Sequence, residues 1–72
     1  MKPYMKRFCD FAYKVLKDGE PRTGRQLFEL LHATNPKATR YISNPNTCVH
    51  ALKADRRFRN IGGSKGSLWI LA

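Results

Sequence analysis

The stretch Asn44-Pro45-Asn46-Thr47-Cys48-Val49-His50-Ala51-Leu52-Lys53-Ala54-Asp55-Arg56-Arg57-Phe58-Arg59-Asn60-Ile61-Gly62-Gly63-Ser64-Lys65-Gly66-Ser67-Leu68-Trp69-Ile70-Leu71 decides how this chain is read. Asn44 is a favoured N-cap, since its side-chain oxygen accepts a bond from a free backbone N–H of the first turn. Pro45 suits the first helical position, where its missing N–H is no loss and its φ is already right. The pair predicts a helix over 45–57. Within it Asn46, His50, Lys53 and Arg57 recur at helical spacing and share one polar stripe, while Cys48, Val49 and Leu52 fall on a sector that faces a core. Residues 58–61 and 67–71 are short β-favouring runs. The glycine-rich segment 62–66 between them predicts a tight turn, and so a hairpin over 58–71 with Lys65 at its tip.

Outward from that stretch, apolar residues recur at helical spacing near the start of the chain. Tyr4, Phe8, Phe11 and Val15, widened by Met5, Ala12 and Leu16, predict a first helix over 3–17. Asp18-Gly19 closes it, glycine suiting the left-handed position after the last turn. Pro21 holds 20–22 extended, as a short strand able to pair with the hairpin. Thr23-Gly24-Arg25-Gln26 matches a capping box ahead of an apolar run. It predicts a second helix over 24–33, with Leu27, Leu30 and Leu31 facing the core and Phe28 flanking. Asn35-Pro36 repeats the cap-plus-proline signal and predicts a short helix over 36–41, after which Ile42 plugs the core. Trp69 is expected to close the core between hairpin and first helix, as large aromatics in small domains usually do.

At 72 residues there is room for one domain and one small core. An apolar content of 42% argues for a folded chain. Fourteen Lys+Arg against five Asp+Glu leave a net charge of +9, which points to a polyanionic partner. The charge is uneven: Lys37, Arg40, Lys53, Arg56, Arg57, Arg59 and Lys65 face the single acid Asp55 between 37 and 65, a net of +6. Cys9 and Cys48 lack metal-ligand spacing and each sits on an apolar helical face, which favours buried, reduced thiols in a cytoplasmic setting. No apolar run approaches the ~20 residues a membrane span needs, and Met1-Lys2-Pro3-Tyr4 leads into no signal-like apolar segment.

The chemistry legible here is binding. No carboxylates form an acid/base pair, neither His32 nor His50 joins a metal-ligand set with the thiols, and the glycine-rich segment lies between strands rather than before a helix. The reading is no enzyme, no cofactor and no metal. A helix with an amide, an imidazole and cations on its exposed front suits a DNA major groove: Asn pairs with adenine edges, Lys and Arg with guanine edges or phosphates. Asn46, Thr47, His50 and Lys53 are expected at base edges or nearby phosphates. Arg56, Arg57, Arg59, Ser64 and Lys65 are expected at the backbone, with Lys65 at or near the minor groove. Arg22 and Arg25 either cap and solvate the second helix or clamp a phosphate beside the third.

In order, the chain reads helix, extended step, helix, short helix, basic helix and glycine-tipped hairpin. With Gly19-Glu20-Pro21 opening the extended step, Leu52-Lys53-Ala54-Asp55-Arg56-Arg57-Phe58 leading into the wing and Leu68-Trp69-Ile70-Leu71 closing it, the sequence resembles the winged helix-turn-helix superfamily over essentially its whole length. It departs from the simplest motif by about 10 residues between its second and basic helices, where a helix-turn-helix turn has three to four. The resemblance implies an α+β fold of three main helices and a C-terminal wing, with double-stranded DNA read by helix 45–57 and touched by the 62–66 wing. It looks like a small phage- or plasmid-type regulator, nucleoid-associated when bound, monomeric by default and able to dimerise on DNA. The alternative is a winged-helix adaptor or inhibitor docking on an acidic surface of a polymerase, nuclease or nucleoid protein; an exposed apolar patch around Phe28, Tyr41 and Trp69 favours that reading.

Overall fold

Local signals in the sequence account for most of the element boundaries. The structure, a computed structural model, describes residues 2–63 and 66–72, with the backbone alone at residue 39. Helix α1 (Pro3–Leu16) takes its proline in the first turn and is followed by Gly19 at φ +83°, a left-handed position suited to glycine. Strand β1 (Arg22–Thr23) leads directly into α2 (Gly24–Thr34). There the capping box forms in full: Thr23 accepts from the Gln26 backbone N–H at 3.1 Å, and Gln26 accepts from the Thr23 N–H at 2.9 Å. A 3-10 helix, Pro36–Arg40, precedes α3 (Pro45–Ala54), and strands β2 (Phe58–Gly62) and β3 (Leu68–Leu71) follow.

The strands form one antiparallel sheet in the order β1-β3-β2. Arg22 lies opposite Trp69 and Thr23 opposite Leu68, so the two-residue strand after α1 holds the hairpin onto the helices. On the other side Phe58 faces Leu71, Arg59 faces Ile70 and Asn60 faces Trp69, and a bulge then shifts Gly62 opposite Leu68. Asn60 accepts the Gly62 N–H at 2.7 Å, and Gly62 sits at φ +74°. Ile61, the extra residue of the bulge, is left exposed.

The core gathers the inner faces of all three helices and the sheet. Phe8, Cys9, Ala12 and Leu16 of α1 meet Leu27 and Leu31 of α2, Cys48, Ala51 and Leu52 of α3, and Ile42, Phe58 and Trp69. Trp69 and Ile42 close this cluster as expected, although the indole N–H of Trp69 finds no acceptor among the described residues. Both thiols are buried and free. No helix among the described residues is long and apolar enough to cross a membrane.

Three expectations are corrected. The basic helix ends at Ala54 rather than 57, because Asp55 leaves the helical conformation at ψ 123° and its carboxylate accepts the Arg57 N–H at 2.9 Å. This side-chain-to-backbone bond replaces continued helix, as Asp commonly does outside helices. Asn35 does not cap the 3-10 helix with its side chain; its backbone N–H instead bonds the Leu31 carbonyl and closes α2. Leu30 is 38% exposed, since Leu27 and Leu31, four residues apart, define the buried line of α2 and Leu30 falls outside it.

Candidate nucleic-acid interface

Helix α3 is held from behind and open in front. Asn44 caps it, accepting from the Asn46 N–H at 2.8 Å. Its buried side, Cys48, Ala51 and Leu52, packs towards α1 and α2. The approach to α2 is unusually close, because a Cβ at Gly24 would lie 2.7 Å from Val49 Cγ2. Asn46, His50 and Lys53 are exposed on the remaining surface, and Thr47 is half-buried at its edge. Among the described residues, none of the side chains of Asn46, His50 and Lys53 is recorded in a hydrogen bond or ion pair. Their donors and acceptors face outward.

The cations of the contact segment divide into free and engaged. Arg56 and Arg59 are exposed beyond the end of α3 and along β2, with no carboxylate partner among the described residues. Arg57 leaves the stripe with the end of the helix. Its Nη2 lies 2.9 Å from Asp55 and 3.0 Å from Asp10, and the guanidinium stands over the Tyr13 ring at 5.2 Å. It clips α1 to the α3–β2 turn. Bonds from Arg57 hold the Asp55 carboxyl below its ordinary range, and those same partners hold Arg57 protonated.

Arg22 is engaged in the same way. It grips both oxygens of Asp18, at 2.9 and 2.6 Å, and also bonds the Val15 carbonyl, pushing the Asp18 carboxyl down to about 2. Arg25 has only Glu29, at 3.3 Å, with both side chains largely in water. Such a pair is worth about 0–1 kcal/mol and leaves Arg25 available to another anion. Arg25 lines a groove of about 450 Å³ with Asn46, Gly66 and Ser67, where the starts of α2 and α3 meet the far end of the hairpin. Ser64 and Lys65 lie outside the described residues.

The sequence offered Arg25 a place beside the third helix as one of two alternatives; it did not show that Ser67 of the hairpin meets Arg25 and Asn46 there. The 37–65 cations do not share one surface. Lys37 and Arg40 line a different depression, against α1, with none of α3 in its wall. His32 is half-buried, with Nε2 2.7 Å from the Ile42 carbonyl, a contact in which the imidazole must donate. No group of three or more His, Cys, Asp or Glu among the described residues is placed to hold a metal. Comparison with protein-family models, with curated proteins and with solved structures finds no match.

Proposed function

We propose that the chain is a winged helix-turn-helix protein that binds double-stranded DNA and acts by binding rather than catalysis, as a small transcriptional or nucleoid-type regulator. The element order supports this reading: helix, strand, two further helices and a hairpin, with the strand after α1 paired to the hairpin's last strand. The observation that carries it is the outward face of α3. Asn46, His50 and Lys53 lie on one exposed side of a capped helix with no side-chain partner among the described residues, and Arg56 and Arg59, unpaired among the same residues, follow its end. In this assignment α3 enters the major groove, Asn46, Thr47, His50 and Lys53 meet base edges or nearby phosphates, and Arg56, Arg59 and Arg25 neutralise backbone phosphates. The hairpin turn, with Ser64 and Lys65, follows the backbone or minor groove. Arg22 and Arg57 serve indirectly, by fixing the scaffold.

The test is a fluorescence-anisotropy titration of pooled duplexes across a salt series, followed by the enriched sequence alone. Lys53→Ala or His50→Ala is expected to weaken the enriched duplex by about 1–3 kcal/mol while leaving random DNA little changed. Arg56→Ala and Arg59→Ala are expected to weaken all duplexes alike and to lower the salt slope by roughly one each. Equal losses on every sequence for all four variants would remove the base-reading role from α3.

A further inference from the structure

A second depression lies on another face. A cleft of about 670 Å³ lies between the first half of α1, the end of α2 and the 3-10 helix. Its floor is apolar: Phe8, Phe11, Leu31 and Ile42. Tyr4 and Tyr41 stand at its edge, their rings stacked with centroids 6.3 Å apart, and Tyr41 is 61% exposed. Three cations, Arg7, Lys37 and Arg40, line it, with no carboxylate in the lining. None of the three is recorded in an ion pair among the described residues, whereas Arg22, Arg25 and Arg57 all have acidic partners.

We propose that this cleft docks an acidic segment of a partner protein, inserting an aromatic or branched aliphatic side chain onto the Phe8/Phe11/Ile42 floor while its carboxylates meet Arg7, Lys37 and Arg40. Two features select that occupant. Unpaired cations around an apolar floor complement a chain that is apolar at its centre and negative around it, and exposed tyrosine beside arginine is the composition of binding hot spots. The rim is also open to water, with Tyr41 largely exposed, fitting an anchor side chain on a passing segment better than a small ligand, which a typical pocket buries by 70–90% of its surface. None of its lining residues belongs to α3 or the hairpin, so this docking is separate from the DNA face and does not rest on it.

The test is selection of a displayed random dodecapeptide library on the folded protein at about physiological salt, with anisotropy of the enriched peptides. The expected result is a family of acidic peptides sharing one or two adjacent aromatic or aliphatic residues. Replacing those anchors by serine should weaken binding about tenfold or more, as should Tyr41→Ala or the pair Arg7→Glu and Arg40→Glu, while Lys53→Ala leaves it unchanged. The substituted side chains are exposed, and an unchanged melting temperature for each variant separates lost binding from lost fold.

Any of several results would overturn the proposal. Selection that enriches no acidic, anchored family would do so, as would peptides whose affinity follows net charge alone and is indifferent to serine substitution. Loss through Lys53→Ala equal to that through Tyr41→Ala would place the peptide on the DNA face. Saturable binding of dodecanoate that Tyr41→Ala abolishes, with no peptide family, would assign the cleft to a small amphipathic anion instead.

Discussion

Gly24 couples the packing of two helices to the position of the side chains on α3. With no side chain of its own it lets α2 begin against Val49, and a Cβ there would come within 2.7 Å of Val49 Cγ2. Valine in a helix has essentially one χ1 rotamer, so Val49 cannot swing aside and the helices must part. Overpacking of this kind costs about 1–3 kcal/mol, against a gain in helix propensity of at most ~1 kcal/mol. Gly24→Ala is therefore expected to lower the urea midpoint. In a Val49→Ala background, where the space is open, the same substitution becomes neutral or stabilising. The four-protein denaturation cycle measures this coupling, and additive effects would show that the approach is not tight. Asn46 lines the same groove as Gly24, so Gly24→Ala should also weaken the proposed DNA binding more than its stability loss alone explains.

At the scale of elements, what was legible in the sequence was whatever chemistry is local. Asn44-Pro45 and Thr23 with Gln26 each satisfy their own helix start, so three or four residues suffice to place it. The end of α3 was only half legible: the Asp55 carboxylate that takes the Arg57 N–H is local, but the same arginine also reaches Asp10 on α1, 47 positions away, and no single segment shows that clip. The same distance dependence hid the cleft and the meeting of Ser67 with Arg25 and Asn46, since neither is written in any one segment. These clips give acid sensitivity a definite sign. Asp18 is held at about 2 by bonds from Arg22, and Asp55 is held below its ordinary range by Arg57. A carboxyl whose folded value lies below its unfolded value of about 3.9 contributes stability above the unfolded value and loses it as pH falls through the folded one. The melting temperature should stay nearly level from pH 7 to 5 and fall between about pH 4 and 2. Asp55, at 14% exposure, should contribute more than the half-exposed, solvent-screened Asp18. Asp55→Asn should be less stable at pH 7 yet fall less steeply below pH 4, and a slope identical to wild type would remove this carboxyl from the acid transition.

For the whole molecule, Cys9 and Cys48 report on whether the core opens as one. Cys9 is on α1 and Cys48 on α3, and both are fully enclosed in the same cluster as Trp69. Burial pushes each thiol up to about 12; for Cys9 the Asp55 carboxylate adds to it, and the Cys9 Sγ–H donates to the Ala51 carbonyl at 3.5 Å. Only the unfolded chain ionises near the ordinary value of about 8.5, so the folded state keeps protons that the unfolded state loses. The thiols' contribution to stability is full below that value and declines as pH rises from about 9 towards 12. At pH 8 an aromatic disulfide reagent can then reach either sulfur only after opening. A domain with one core and a radius of gyration of 11.0 Å leaves little room for independent parts. Both cysteines should therefore react at one slow rate, with one urea dependence equal to that of global unfolding, as read by mass spectrometry of each labelled peptide. Faster labelling of Cys48 than Cys9, with a shallower urea dependence, would mean that α3 leaves the core alone. The side chains assigned to DNA would then sit on a separately opening element rather than on a rigid frame, and binding would have to supply the free energy of closing it.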